Sequence, residues 1–394
     1  MKEGWEYKKL GEVCRIERGG SPRPIKDFIT NSPDGLNWIK IGDTDPQGKY
    51  IYSTKEKIKP EGLRKSRWVE VDEFLLSNSM SFGRPYILKT NGCIHDGWLV
   101  LRDYQNSLII DYFYYLLISP HVQNQFRTKA QGSTVSNLNT DRVADVNIAF
   151  PPLSEQQSIV DYLDSAFAKI DAMKANAEKN LNEAKALFQA SLKEMLEPKE
   201  GWEEKKLGEV GTFIRGGNFS KSDFVKDGFP CVHYGQIHTK FGVATYEHLS
   251  CVPESMVKKE RCASKGNLII AITSEDDEGS CKCTAWMADY EAYVGGHTAI
   301  FKHSLNPLFV SYYFKASRFQ KAKLEYTHGF KVVEISPKDI AKIPISYPSL
   351  SEQQSIVATL DSLKSKVDCL KANYNKISQE CDALKQAILR QVFE

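Results

Sequence analysis

The chain has 394 residues, of which 41% are hydrophobic and 26% charged, which is enough for two or more separately cored domains and excludes a disordered tail or a fibre. A net charge of +2 excludes a polycation that coats nucleic acid indiscriminately. No apolar run approaches the roughly 20 residues of a membrane span, so no membrane partner is expected. The polar residues 1–6 do not form a secretory signal, and nine irregularly spaced cysteines suit a reducing compartment. These features predict a cytoplasmic protein.

The chain contains an internal duplication. Residues 4–13 return as residues 201–210, Arg-Gly-Gly at 18–20 returns at 215–217, and residues 153–160 return as residues 350–357, always at an offset of 197. Between these edges, residues 21–130 and 218–327 share size but little sequence. A kept framework with different inserts predicts one scaffold that presents two binding specificities.

In chain order, the first insert predicts strands at 38–42, 74–77 and 97–101, followed by a helix at 111–118. The second insert predicts strands at 268–271 and 299–301 and a helix at 308–316. Each half is therefore expected to be mixed α/β (α+β).

A long helix is expected to close each half. Prolines precede Ser154 and Ser351, and each serine has glutamine three residues later, which predicts a capping box. Apolar residues then recur at alternating steps of four and three, as in a coiled coil. In the second half they are Ile356, Leu360, Leu363, Val367, Leu370, Tyr374, Ile377, Cys381, Leu384 and Ile388. In the first half they are Ile159, Leu163, Ala166, Ile170, Met173 and Ala177, then a shifted set of Leu181, Ala184, Phe188, Leu192 and Met195.

Each of these helices would leave an apolar stripe in water if it stood alone. We therefore expect the two to pair as an antiparallel coiled coil about a pseudo-twofold axis, each spanning about 65 Å. The alternative is that each helix covers only its own domain. The predicted domains are two target-recognition domains, 1–150 and 198–347, and two helical spacers, 151–197 and 348–394.

The order of these motifs resembles the specificity subunit of Type I restriction-modification systems, over the whole chain. The resemblance rests on Gly-Trp-x-x-Lys-Lys-Leu-Gly-Glu-Val, Arg-Gly-Gly, and Pro-x-Leu-Ser-Glu-Gln-Gln-x-Ile-Val before each helix. It implies that each insert reads one half of a bipartite site in double-stranded DNA and that the helices set the spacing. It also implies that two DNA adenine methyltransferase subunits dock on the scaffold and that a restriction/translocase subunit can join them. SAM is then expected on the partner methyltransferase and no cofactor on this chain.

Two kinds of residue could contact DNA, because cations bind phosphates whereas forked or amide donors read base edges. One kind lies in a basic run of each insert: Arg64, Lys65 and Arg67, and then Lys259 and Arg261, with Arg64 and Arg261 at the same offset of 197. The other lies mainly in glycine turns, where backbone can approach a groove closely. These candidates are Arg18, Gly20, Ser21, Arg23, Arg84, Ser133, Thr134, Arg215, Asn218, Lys221 and Lys331, with Gln236, Ser274 and Lys282 added from the second insert. The alternatives are a solvated charged face and ordinary tight turns.

No motif predicts catalysis in this chain. It has no phosphate-binding Gly-x-x-x-x-Gly-Lys loop, and Asn306-Pro307-Leu308-Phe309 departs from the adenine methyltransferase motif. Cys281 and Cys283 lack the spacing of a zinc knuckle, so no metal or catalytic residue is assigned. Two alternatives stay open: a SAM-dependent DNA methyltransferase or nuclease with an unrecognised active site, and a coiled-coil adaptor that binds only proteins. Turnover by the purified chain with SAM, Mg²⁺ and DNA would favour the enzyme.

Overall fold

The computed structural model describes residues 3–46, 48–78, 83–130, 138–329 and 332–394. The chain divides into two compact units, one formed by Met1–Ala177 with Asn375–Glu394 and the other by Glu178–Tyr374. Each unit therefore contains one β-rich half and a segment of both long helices. In the described ranges, no helix is long and apolar enough to cross a membrane.

The first half is built from short strands and four short helices before its long helix. Its strands are β1 (Glu6–Lys9), β2 (Arg15–Arg18), β3 (Ile29–Thr30), β4 (Leu36–Ile39), β5 (Tyr50–Ile51), β6 (Glu56–Ile58), β7 (Arg67–Val69), β8 (Phe74–Ser77), β9 (Pro85–Leu88), β10 (Gly92–Ile94), β11 (Trp98–Arg102) and β12 (Asn147–Phe150). Its helices are α1 (Leu10–Val13), α2 (Ile110–Ile118), α3 (Pro120–Ala130), α4 (Thr140–Ala144) and α5 (Leu153–Leu196).

The second half repeats this plan. Its strands are β13 (Glu203–Lys206), β14 (Gly211–Arg215), β15 (Phe229–Val232), β16 (Ala244–Thr245), β17 (Ser250–Val252), β18 (Cys262–Ala263), β19 (Leu268–Ala271), β20 (Thr273–Ser274), β21 (Cys283–Trp286), β22 (Ala292–Val294), β23 (Thr298–His303), β24 (Val333–Glu334) and β25 (Pro344–Tyr347). Its helices are α6 (Leu207–Val210), α7 (Tyr234–Thr239), α8 (Pro307–Tyr313), α9 (Ser317–Ala322), α10 (Pro337–Ile340) and α11 (Leu350–Phe393). The mixed α/β class is confirmed, and β8 and β19 have the predicted bounds.

Two sheets keep the same strand order in both halves, although β3 extends one of them in the first half and β20 pairs with β24 in the second. The order β2-β11-β8-β9-β5 returns as β14-β23-β19-β21-β16, and β6-β4-β10-β7 returns as β17-β15-β22-β18. The strand registers make Arg67 equivalent to Arg261, an offset of 194, and Ile94 equivalent to Val294, an offset of 200. Before the next helix the offset is 197 again, since Ile109 and Asn306 make the same contact. Insertions and deletions that cancel therefore hide the common fold of the inserts.

The long helices begin one residue before the serines predicted to cap them. α5 starts at Leu153 and α11 at Leu350, so Ser154 and Ser351 lie inside the first turn and the predicted capping box is wrong. In the second half, the Ser349 hydroxyl accepts a hydrogen bond from the Glu352 backbone N–H at 3.3 Å. The first half has Pro152 at that place and does without the serine cap.

Within the first unit, α5 and α11 pack antiparallel. Lys385 Nζ lies 2.6 Å from Asp171 Oδ1, and Lys174 Nζ lies 3.4 Å from Asp382 Oδ1, while Leu389 is buried in the same core as Leu163. In the second unit, segments of both helices share one core, through Phe188, Leu192, Ile356 and Leu360. Both cores also contain residues of the sheets and short helices, so each long helix covers its own domain as well as its partner helix.

Two predicted seam positions are wrong. Met173 is 58% exposed and Leu384 is 48% exposed, whereas the neighbouring Lys174 and Lys385 are partly buried. An α-helix has 3.6 residues per turn, so a strict repeat of 3.5 drifts off the contact line by about 20° per heptad unless the helices supercoil.

Candidate nucleic-acid interface

The first glycine loop leaves strand β2 and is fixed by backbone hydrogen bonds. The Gly19 N–H donates to the Trp98 carbonyl at 2.9 Å, and the Gly20 N–H donates to the Ile94 carbonyl at 3.1 Å. A Cβ at Gly19 would collide with the His95 carbonyl oxygen, and one at Gly20 would lie 2.7 Å from the Lys65 carbonyl oxygen. Only glycine leaves room for this close approach.

Asp96 is the common partner of three polar side chains of this loop. Ser21 Oγ donates to Asp96 Oδ1 at 2.8 Å, Arg23 Nη2 lies 3.2 Å from Asp96 Oδ2, and Arg18 Nε donates to the Asp96 carbonyl at 3.2 Å. The hydrogen bond from Ser21 holds the pKa of Asp96 below its ordinary value. The structure thus brings Arg18, Ser21 and Arg23 together around a residue that the sequence analysis missed. Its one sequence signal is the His-Asp-Gly turn at 95–97.

The basic residues of the first half have two different environments: Arg67 makes hydrogen bonds within the fold, whereas Arg64 is exposed. Arg67 Nε donates to the Arg18 carbonyl at 2.8 Å and Nη1 donates to Glu17 Oε1 at 2.8 Å, so Arg67 holds the loop. Lys65 Nζ lies 5.6 Å from the centre of the Phe28 ring. The Arg64 side chain is exposed and makes no hydrogen bond or ion pair with the residues described. Arg84 belongs to another environment, 5.4 Å from the centre of the Tyr86 ring.

An open, largely apolar depression adjoins the first loop. Trp38, Lys40 and His95 line it beside Ser21 and Arg23. The Gly97 N–H donates to His95 Nδ1 at 2.7 Å, and burial lowers the pKa of His95, so the ring is neutral at neutral pH. Trp38, Lys40 and His95 are further candidates for DNA contact that no sequence motif indicated.

The second glycine loop has the same backbone frame. The Gly216 N–H donates to the Thr298 carbonyl at 2.9 Å and the Gly217 N–H to the Val294 carbonyl at 2.7 Å. Arg215 Nε donates to the Gly296 carbonyl at 3.3 Å, as Arg18 does to Asp96, but Arg215 Nη2 also lies 3.0 Å from Glu334 Oε1.

His297 lines two depressions beside this second loop. Arg215 and Asn218 line one of them, and Ser274 and Lys282 line the other. Both depressions include His297, whose ring centre lies 5.2 Å from that of Tyr234. Four predicted residues therefore each line a depression that includes His297, and Lys221 is exposed a few residues further along the loop.

Three other predicted residues of the second half have different environments. Arg261 Nη1 donates to the Gly216 carbonyl at 2.9 Å and braces the loop, so Arg67, rather than Arg64, is its equivalent. Lys259 is exposed. Gln236 Nε2 donates to Ser250 Oγ at 2.8 Å and its Oε1 accepts from the His233 N–H at 2.9 Å, so its amide is engaged within the fold.

Three predicted residues, Ser133, Thr134 and Lys331, lie outside the described residues. In the part of the chain that the structure describes, no three His, Cys, Asp or Glu side chains form a group that could hold a metal ion. Burial raises the pKa of Cys281 to about 12 and that of Cys283 to about 11, so both thiols stay protonated at neutral pH.

Comparison with known proteins agrees with the duplicated architecture. The family profile described as Type I restriction modification DNA specificity domain matches residues 2–183 and again residues 199–379. The chain therefore belongs to this family and carries two copies of its domain.

Curated relatives carry the same family name. The chain is 26% identical over 196 residues to the Type I restriction enzyme StySPI specificity subunit of Salmonella potsdam and to the EcoKI specificity subunit of Escherichia coli. Those alignments cover 48% of this chain and 42% of each relative, so the chain spans less than half of their length. The MjaVIII specificity subunit of Methanocaldococcus jannaschii is 22% identical over 410 residues, covering 96% of this chain and 90% of that protein.

Solved structures share the fold over the full length. A chain from a structure of complex assembly and conformational transition in the Type I R-M system matches with a TM-score of 0.77 at 22% identity, covering 100% of this chain and 98% of that one. The HsdS subunit from Thermoanaerobacter tengcongensis matches with a TM-score of 0.60 at 21% identity, covering 100% and 97%.

Proposed function

We propose that this chain is the DNA-recognition subunit of a Type I restriction-modification complex in the cytoplasm. Each β-rich half reads one part of a bipartite site, and the paired helices keep the two readers at a fixed spacing. Two adenine methyltransferase subunits dock on the scaffold and supply SAM and the chemistry, and a restriction/translocase subunit can join them. The chain itself performs no catalysis.

One observation carries this proposal: the two halves hold the same glycine loop on the same backbone frame but present different side chains from it. The first loop presents Ser21 and Arg23, and the second presents Asn218 and Lys221. Hydroxyl, guanidinium, amide and ammonium groups can all donate to base edges in a groove, and the two cationic groups can also bind phosphate. A shared frame with different donors is what two readers of different half-sites need.

Exposed cations near each loop support phosphate binding. Arg64 directly precedes Lys65, whose carbonyl oxygen lies close to Gly20 of the first loop, and Lys259 is two residues before Arg261, which braces the second loop. Neither Arg64 nor Lys259 forms an ion pair with the described residues. Contacts to phosphate fix the register of a protein on the duplex but carry no sequence information. Arg64 and Lys259 therefore supply affinity, and the loop side chains supply selectivity.

Exchange of one insert tests the proposal. The full chain is expressed with its methyltransferase in a host, and methylated sites are mapped before and after residues 21–130 are replaced by the insert of another family member. The exchange should change one half of the methylated motif and leave the other half and the spacer intact. The matched exchange of residues 218–327 should change only the other half. A change in both halves from either exchange would contradict the assignment of one half-site to each insert.

A further inference from the structure

The same three side chains tie the β-rich part of each half to the first turns of a long helix. We call each set a domain–helix clamp. The first clamp consists of Trp5, Tyr115 and Gln156, and the second of Trp202, Tyr312 and Gln353. The members of the two sets are related by the offset of 197, so the arrangement occurs twice in one chain.

A buried glutamine is the centre of the first clamp. Gln156 has 0% exposure, and its Oε1 accepts from the Ile109 N–H at 3.0 Å. Its Nε2 donates to the Ser107 carbonyl at 2.8 Å and to the Pro151 carbonyl at 2.9 Å. Ile109 directly precedes α2, so the first turn of α5 cannot shift against α2 without leaving buried polar groups unpaired.

Gln353 repeats this arrangement in the second half. It is 1% exposed, its Oε1 accepts from the Asn306 N–H at 2.9 Å, and its Nε2 donates to the Pro348 carbonyl at 2.8 Å. Asn306 directly precedes α8, the helix equivalent to α2. The first turn of α11 is therefore held in the same way as that of α5.

A tyrosine supplies a second anchor further along each helix. Tyr115 Oη donates to Asp164, and Tyr312 Oη donates to Asp361 Oδ1 at 2.6 Å. Burial and the adjacent carboxylate raise the pKa of both tyrosines, so both remain donors over the neutral range. Gln156 and Asp164 lie about 12 Å apart along the helix, and two anchors on one rod fix its direction as well as its position.

A tryptophan completes each clamp from the start of the half. Trp5 Nε1 donates to Glu155 Oε1 at 3.2 Å, and Trp202 Nε1 donates to Glu352 Oε1 at 3.2 Å. This bond ties the Gly-Trp motif, the opening of each repeat, to the opening of the helix. The motif and the Glu-Gln-Gln sequence therefore recur together because they contact each other.

We propose that the clamp residues are positioning residues that set the angle between each DNA-reading loop and its helix, and so decide which spacer lengths are accepted. This inference rests on the proposed function. One added base pair moves a half-site by about 3.4 Å and rotates it by about 34°. A stiff joint rejects such a displaced half-site, and a joint with a missing anchor adapts to it.

The test compares binding to duplexes with different spacers. The duplexes carry the two half-sites found by the methylation mapping, with the native spacer or one base pair more or less, and the full chain is bound to its methyltransferase. Tyr115→Phe with Tyr312→Phe should lower the preference for the native spacer about fivefold, which corresponds to about 1 kcal/mol, while base preference within each half-site stays unchanged. Asp164→Asn keeps an acceptor for Tyr115 and should retain the preference.

Tyr162→Phe is the matched control, because Tyr162 lies on the same helix and is 51% exposed. An unchanged spacer preference in the double variant would overturn the clamp's role, even if its unfolding temperature falls. Equal loss of affinity on all three spacers would overturn it too. If the unaltered complex binds all three spacers equally, the proposed function fails at its first step and the clamp's role falls with it.

Discussion

The two glycine loops have similar backbones but differ in the turn that lies next to each of them, residues 95–97 in the first half and 295–297 in the second. The first half has Asp96 there, which draws Ser21 and Arg23 toward its carboxylate. The second half has Gly296 at the equivalent place, and the side chain of the adjacent Asn218 has no hydrogen bond to the described residues. One side chain on the neighbouring turn thus sets the charge and the orientation of the loop donors.

This contrast shows how one fold can present two different sets of side chains. The glycines and the bracing arginines, Arg67 and Arg261, keep the loop in place in both halves. Residues that contact the loop from the next turn then change its chemistry without moving the backbone. Selection can alter the donors while the frame stays constant.

The greatest loss of stability is expected where the shared frame is broken. Gly19→Ala and Gly216→Ala each push a Cβ into a carbonyl oxygen and should each lower the free energy of unfolding by about 1–3 kcal/mol, measured by denaturant titration. Gly42→Ala is the control, because no atom lies within 4 Å of an added Cβ. If only one of the two loops is sensitive, their frames are not equivalent.

One buried histidine of the second half is expected to lower stability at acid pH. Burial lowers the pKa of His303 from 6.5 to about 4, whereas the equivalent residue of the first half, Asp103, is an exposed partner of Arg15. Between these two pKa values His303 is protonated in the unfolded chain but neutral in the folded chain. Its contribution to the free energy of unfolding is therefore largest above pH 6.5, declines as the pH falls and levels off below about 4.

At pH 5 this loss amounts to about 2 kcal/mol. His303→Phe keeps a ring beside Phe301 and should remove the loss. The measurement is the difference in unfolding free energy between pH 7 and pH 5, wild type against variant. An equal pH dependence in both proteins would contradict the assignment to His303.

The smallest effects are expected at the exposed cations. Arg64→Ala and Lys259→Ala should weaken binding to all DNA sequences alike and reduce the slope of log affinity against log salt by about 1, without changing stability. Arg67→Ala and Arg261→Ala, their braced neighbours, should instead destabilise the half that contains them. Binding measured at several salt concentrations separates the two classes, and a slope that changes only for the braced pair would reverse these roles.

The sequence predicted the architecture well because repeats and heptads are local patterns. Strands β8 and β19 and both long helices follow from periodicity and from the matched edges of the repeat. Predictions of single helix positions were wrong where the rotation of a helix or its first residue decides. Met173 and Leu384 left the seam through helical drift, and the cap falls on Ser349 rather than Ser351.

The candidate site was predictable only in part. The glycine loops were found because they recur, but Asp96, Trp38 and His95 lie far from them in sequence and join them only through sheet pairing. Arg64 was matched with Arg261 by counting residues, and cancelling insertions moved the true equivalent to Arg67. A fixed sequence offset does not identify equivalent strand positions when insertions and deletions lie between them.

The place of the last residues in the first unit bears on how the protein is made. Leu389 and Phe393 are buried with Leu163 and Tyr112, although more than 200 residues separate them in sequence. The first β-rich half therefore leaves the ribosome long before the end of α11, which completes its core, has been synthesised. Until then the apolar surface that Leu389 and Phe393 cover is exposed on the nascent chain and must be kept from aggregating. A truncation before residue 389 would therefore destabilise the domain that is translated first.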